Sequence, residues 1–225
     1  MKLTAESICK KFNRKTGGAS WFYAVQENDF ELKENALTVL YGRSGSGKTT
    51  LLNMLGGLLA PSAGRVLFDG ADIYAMPDKE LSVFRNRHIG MIPQGSTALP
   101  TLTVLENVLL PKLLYGRRDA ANVSYAKELL EIVGIAPLMD AMPNELSGGE
   151  LRRMAIARAL MNKPSVLLAD EPTGDLDDEN TALVLSLLRD TAKNGTAVLM
   201  VTHEREAENY ADIVLKMDGG SIKTP

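Results

Sequence analysis

The chain has 225 residues, 45% hydrophobic and 24% charged, with a formal net charge of -3 and a single cysteine, Cys9. That balance suits a globular protein with a sizeable core; it excludes an internal disulfide framework and gives no basic footprint for nucleic acid. No stretch approaches the roughly 18 consecutive apolar residues of a membrane-spanning helix, and Met1-Lys2-Leu3-Thr4-Ala5-Glu6-Ser7 leads into polar sequence with no apolar signal core. The expectation is a cytoplasmic chain that acts on a membrane only through a partner.

In chain order, the first forty residues read as short strands joined by turns. Residues 21–32 roughly alternate, and Ala36-Leu37-Thr38-Val39-Leu40-Tyr41 is a continuous apolar run ending at a glycine. Such a run predicts a strand buried on both faces of a largely parallel sheet. A glycine-rich turn follows, after which Leu51, Leu52, Met54, Leu55 and Leu58 recur at helical spacing, the first half of a βαβ unit. From about 103 to 160 the period is helical, with Val104, Val108, Leu109, Leu129, Leu130, Ile132 and Val133 as apolar positions. Residues 116–121 and 137–144 break this stretch into shorter helices. Residues 166–169 and 197–201 predict two more buried parallel strands, with Leu183, Val184, Leu187 and Leu188 on one face of the helix between them. Residues 213–222 predict a short closing hairpin. The layout is an α/β core with a helical insert.

Gly42-Arg43-Ser44-Gly45-Ser46-Gly47-Lys48-Thr49-Thr50 matches G-x-x-x-x-G-K-[ST] in full. Glycines let the backbone curl until several N–H groups aim at one anion, and the following helix adds its positive end. In this pattern Lys48 reaches the β- and γ-phosphates and the Thr49 hydroxyl ligates Mg²⁺. Residues 166–171 form an apolar strand ending in Asp170 and Glu171, and ligands of parallel sheets sit beyond the carboxyl ends of strands. Asp170 is therefore the expected Mg²⁺ partner and Glu171 the carboxylate that polarises the attacking water; a helix cap before Pro172 is the competing reading. His203 ends the next apolar strand, one strand over, where a γ-phosphate contact is expected. His88 has no such setting and reads as structural. Ser147-Gly148-Gly149-Glu150 precedes a helix and forms a second anion-binding helix start. One nucleotide needs only one such start, so the simplest resolution gives the second to a partner's nucleotide; a capped helix with a flexible entry is the competing reading.

In order along the chain stand the phosphate loop, Gln94 in Met91-Ile92-Pro93-Gln94, Leu146-Ser147-Gly148-Gly149-Glu150, the Asp170-Glu171 strand, Gly174-Asp175-Leu176-Asp177, and His203. With these motifs the chain resembles the ABC ATPase family over essentially its whole length. The resemblance implies a P-loop NTPase core with an N-terminal antiparallel β-subdomain and an inserted α-helical subdomain, as a single domain. Residues 1–94 and 161–225 would make the core, and about 95–160 the insert with the signature. It implies ATP and Mg²⁺ as cofactors and a head-to-tail homodimer around two nucleotides. Each site would take Lys48, Thr49, Gln94, Asp170, Glu171 and His203 from one chain, with Gln94 sensing the metal, and Ser147 and Gly149 from the other. Asp177 would link the two sites, and Phe12 falls where the family stacks a tyrosine on adenine; a core phenylalanine is an equal reading.

Residues 100–114 and 169–177 resemble the branch of lipoprotein-release, macrolide-efflux and peptide-resistance ATPases, together with the cell-division ATPase. That branch implies a separate integral-membrane permease driven in export or mechanotransmission, or alternatively a partner that signals rather than transports. Leu151 and Arg152 depart from the family, which commonly has a polar residue and a glutamine there.

Overall fold

The computed structural model describes residues 2–14, 20–95, 97–116 and 119–223. Its opening strands are longer than expected: β1 (Leu3–Arg14) and β2 (Ser20–Leu32) form one antiparallel ribbon with register shifts between residues 5 and 11 of β1. Bulges let such a long ribbon bend, and Leu3, Ala5, Ile8, Val25, Phe30 and Leu32 face inward. β4 (Ala63–Phe68) pairs with β1, and the two-residue β5 (Ala71–Asp72) with β4, giving an antiparallel sheet in the order β2-β1-β4-β5.

The second sheet runs β10-β9-β3-β8-β7-β6. Its strands β3 (Leu37–Tyr41), β6 (Ile89–Ile92), β7 (Val166–Asp170), β8 (Ala197–Thr202) and β9 (Ile213–Asp218) are all parallel, and β10 (Ser221–Lys223) closes it as an antiparallel hairpin. The apolar runs at 37–41, 166–170 and 197–202 are buried on both faces, as central parallel strands require. Helix α1 (Lys48–Leu55) packs Leu51, Leu52, Met54 and Leu55 between the two sheets. The helix stops at Gly56, and Leu58 lies beyond it, more than half exposed, not on the expected face.

Helix α2 (Asp78–His88) leads into β6. Between β6 and β7 come α3 (Val104–Tyr115), α4 (Ala120–Ile132) and α5 (Gly148–Leu160). Residues 117 and 118 of the expected break between α3 and α4 lie outside the described residues. Ile132 turns outward, unlike Leu129, Leu130 and Val133. Helix α6 (Asp178–Lys193) crosses back to β8 and buries Thr181, Val184, Leu185, Leu188 and Ala192. The expected face of Leu183, Val184, Leu187 and Leu188 is therefore rotated: Leu183 is exposed and Leu187 only half-buried.

His88 packs against Phe68 and Phe84, its ring stacked on Phe84 at 5.1 Å, and burial pushes its pKa down. No helix among the described residues is long and apolar enough to cross a membrane.

Candidate functional site

The carboxyl ends of β3, β6, β7 and β8 lie side by side, which brings four separate sequence segments to one crevice. After β3 the chain turns through 42–47, tied to its neighbour by Gly42 N–H donating to Thr202 O (3.1 Å) and closed by Ser46 N–H donating to Arg43 O (3.1 Å). Gly47 is required here twice over. Its φ is +105°, and a Cβ would stand 2.1 Å from the carbonyl oxygen of Ala24 on β2. The β9–β10 turn braces the loop from below: Gly220 N–H donates to Ser46 O at 3.0 Å, while buried Asn28 donates to Gly220 O and accepts from Ile222 N–H. The Ser46 hydroxyl is buried with no hydrogen-bond partner among the described residues.

Lys48, buried at the start of α1, donates to the carbonyls of Gly42 (2.7 Å) and Arg43 (3.2 Å), with Glu171 Oε1 at 3.6 Å. The next residue, Thr49, donates from Oγ1 to Asp170 Oδ1 at 3.2 Å. Burial raises the Asp170 pKa, partly offset by that hydrogen bond. Glu171 has a left-handed backbone (φ 46°). Its Oε2 accepts from the Thr202 hydroxyl (3.0 Å) and the His203 backbone N–H (3.2 Å), and lies 2.9 Å from His203 Nδ1. The His203 side chain is 60% exposed while that of Glu171 is 10% exposed, so the histidine forms the outer wall and the carboxylate the inner one. A turn follows Glu171, and α6 begins only at Asp178, so no helix starts at Pro172 for the two acids to cap.

A cavity of about 900 Å³ opens over Lys48, Thr49, Glu171 and His203; Ser46 and Asp170 are not among its lining residues, Asp170 standing behind Thr49. Gly42, Ser44, Gly45, Gly47, Lys48, Thr49, Thr50, Gln94, Glu171 and His203 line it, as does Phe12. Phe12 is half-buried and stands 6.0 Å from the ring of Phe22, at the cavity and not in the core. The sequence reading missed Phe22, Tyr23, Tyr41, Arg205 and Lys216, which also face the cavity. The run Trp21-Phe22-Tyr23 was a legible signal, since consecutive residues of a strand point to opposite faces and three aromatics in a row cannot all enter one core. Lys216 arrives only because β9 pairs with β3, setting Tyr41 beside it.

Ser147, Gly148, Gly149 and Glu150 do not line this cavity. Ser147 caps α5 in a capping box: Glu150 N–H donates to Ser147 Oγ (3.3 Å), and Ser147 N–H donates to Glu150 Oε2 (2.7 Å). The Ser147 N–H and the Ser147 hydroxyl, which also donates to Glu150 Oε2 (2.8 Å), hold the Glu150 carboxyl below its ordinary pKa. Asp177 likewise caps α6, accepting from Asn180 N–H at 2.8 Å. Asn180 also accepts from Arg153 (2.5 Å), and its side chain would meet any Cβ at Gly149. The starts of α5 and α6 are thus fastened together, outside the chain's own cavity.

A strand, a glycine loop and a helix, with the loop's lysine and threonine facing an acidic strand end, define a P-loop nucleoside triphosphatase. Residues 25–174 match the ABC transporter family. Over 220 residues the chain is 37% identical to MJ1508, an ABC transporter ATP-binding protein of Methanocaldococcus jannaschii, covering 98% of this chain and 97% of the relative. It is 42% identical over 193 residues to the lipoprotein-releasing system ATP-binding protein LolD of Myxococcus xanthus, covering 85% and 86% of the two chains. It is 45% identical over 186 residues to the macrolide export ATP-binding/permease protein MacB of Rhodopirellula baltica, 81% of this chain but 27% of that protein. Among solved structures, the dimeric ABC transporter cassette MJ0796 superposes with a TM-score of 0.89 at 31% identity, covering 99% and 98% of the chains. A second MJ0796 dimer, in a post-hydrolysis state bound to ADP and Pi, superposes with a TM-score of 0.88, again at 31% identity and with the same coverage. The chain belongs to the ABC transporter family as an ATP-binding cassette of the lipoprotein-release and macrolide branch, and it is an ATP hydrolase.

Proposed function

We propose that two copies close head-to-tail around two ATP molecules, and that this closure drives a separate integral-membrane permease in export or mechanotransmission. One observation carries the reading. Lys48, Thr49, Glu171 and His203 line one cavity, with Asp170 held against Thr49 behind its wall, while the Ser147–Gly149 helix start, suited to an anion, lies outside it. Head-to-tail pairing gives that second start a nucleotide to bind.

Within one chain, the 42–47 loop and Lys48 cradle the phosphates. Phe12 and its neighbour Phe22 offer the base an aromatic face. The hard oxygen donors Thr49 Oγ1 and Asp170 Oδ1, with Gln94 nearby on the cavity wall, fit Mg²⁺, which when bound neutralises charge on the phosphate oxygens. Glu171 orients and deprotonates the attacking water; His203 contacts the γ-phosphate. From the second chain, Ser147, Gly148, Gly149 and Glu150 supply the facing helix start, and Asp177 communicates between the sites. Because ATP binds the closed dimer better than the open chains, binding itself shifts the population and supplies the stroke. The names of the Myxococcus and Rhodopirellula relatives support release or export at a membrane, which the cassette would reach from its cytoplasmic face through the permease.

Glu171→Gln keeps the side chain's size and removes the base. Its turnover should fall at least ~10²-fold with ATP binding retained. Size-exclusion light scattering of this variant should show a shift from monomer to dimer when MgATP is added. Near-normal turnover would remove Glu171 from the chemistry. A chain that stays monomeric with MgATP, alone and together with its permease, would refute the sandwich.

A further inference from the structure

We propose that Arg152 is a positioning residue that holds the backbone around Gln94 against α5, so that the cavity wall and the Ser147–Gly149 helix start move as one body. Arg152 lies on α5 two residues beyond Glu150. Its Nη1 donates to the carbonyl of Pro93 at 3.2 Å and reaches that of Gly95 at 3.5 Å, the two residues that flank Gln94. The guanidinium therefore brackets Gln94 from both sides through the main chain and leaves its side chain directed by the loop.

Burial works against the charge of Arg152, and the attraction of Asp175 works for it. Asp175 sits in the turn after Glu171, itself in a left-handed conformation (φ 64°). One side chain thus stands where three segments meet: the Gln94 loop, the signature helix and the turn leading from Glu171 to Asp177. The adjacent arginine does different work, since Arg153 serves the α5–α6 contact through Asn180. Arg158, further along α5, donates to Thr97 O at 2.8 Å and to the Thr97 hydroxyl, extending the same seam. Charge-assisted bonds to carbonyls are stronger and geometrically stricter than those a neutral amide would make. Where the family commonly has glutamine, this chain has therefore stiffened the link between its own nucleotide cavity and the surface it presents to a second copy.

The inference rests on the role proposed for Gln94, and a double-mutant cycle separates the two. Arg152→Met should lower kcat about 10-fold while KM for ATP changes less than about twofold, because the phosphate loop is untouched and only alignment is lost. Arg152→Lys, which keeps a charged donor, should recover part of that loss, and it carries the test if the methionine variant does not fold. In a Gln94→Ala background the Arg152 substitution should cost nothing further, since both act through one element. Multiplicative effects, or wild-type kcat in both Arg152 variants, would overturn the positioning role and leave Gln94 standing. A parallel rise in KM would reduce Arg152 to general support of the fold. Wild-type turnover in Gln94→Ala alone would instead overturn the reading of Gln94, and this inference with it.

Discussion

Glu171 holds a left-handed backbone that costs a non-glycine residue on the order of 1–3 kcal/mol, and three contacts from β8 and its end keep it there. Thr202 Oγ1, the His203 amide and the His203 ring all engage Oε2, which leaves Oε1 directed to Lys48. The strain aims the carboxylate across the phosphate loop, where a strand residue in ordinary geometry would point into the sheet. His88 shows the opposite case, a titratable group absorbed by packing. Burial against Phe68 and Phe84, with Arg87 nearby, lowers its pKa below the ordinary 6.5. With a depressed folded-state pKa, the unfolded chain takes up the proton first as pH drops. The stability this histidine contributes is full above about pH 6.5 and is lost as pH falls through its folded pKa. His88→Phe keeps an aromatic ring and cannot titrate. Urea unfolding at pH 7.5 and 5.5 should show a smaller stability loss in this variant than in wild type; equal losses would mean that other groups carry the acid sensitivity.

Among the elements, the start of α3 depends on one buried amide. Asn107 is fully buried, donates to the carbonyls of Leu99 (3.1 Å), Leu102 (3.0 Å) and Thr103 (3.0 Å), and accepts from Leu99 N–H (2.8 Å). It folds the 99–103 turn onto the helix that the Thr103–Glu106 capping box begins. Asn107→Leu matches the volume and strands those backbone groups, so it should destabilise the chain by about 2–4 kcal/mol, measured by urea unfolding. A change under about 0.5 kcal/mol, the range of neutral surface substitutions, would show that water satisfies the turn instead. Position 107 was legible only as part of the 100–108 pattern; its physical reason needed the structure. Continuous apolar strands and the glycine loop were readable because each is a local pattern. The segment 63–88, with β4, β5 and α2, was not: its strand residues 63–65 are exposed and it carries no clean period of two. The rotated face of α6 has a similar cause. In Leu183-Val184-Leu185-Ser186-Leu187-Leu188 nearly every position is apolar, so the period cannot choose a face. The start of the helix chooses it instead, through the Asp177 cap and buried Thr181.

At the scale of the whole molecule, the nucleotide cavity and the Ser147 helix start lie apart. The cavity holds Lys48, Glu171 and His203, and the α5–α6 seam of Gly149, Asn180 and Asp177 presents Ser147 elsewhere. The local Ser147–Glu150 pattern already pointed to that separation, and the structure adds its cause: β6 and β7 bracket the three inserted helices. The separation yields a test that treats the chain as half of a machine. Lys48→Ala should lose phosphate binding in its own cavity, and Ser147→Ala should lose the contact to a partner's nucleotide, along with about 1 kcal/mol of helix capping. Each variant alone has both composite sites damaged. Mixed, they form a heterodimer in which one site combines an intact Lys48 with an intact Ser147. Random pairing makes half the dimers mixed, each with one intact site of two, so the mixture should regain up to about a quarter of wild-type turnover. ATP hydrolysis measured on the separate variants and on their mixture decides the point. Recovery requires that Ser147 serve the other chain's nucleotide, whereas a mixture as inert as its parts would count against head-to-tail closure.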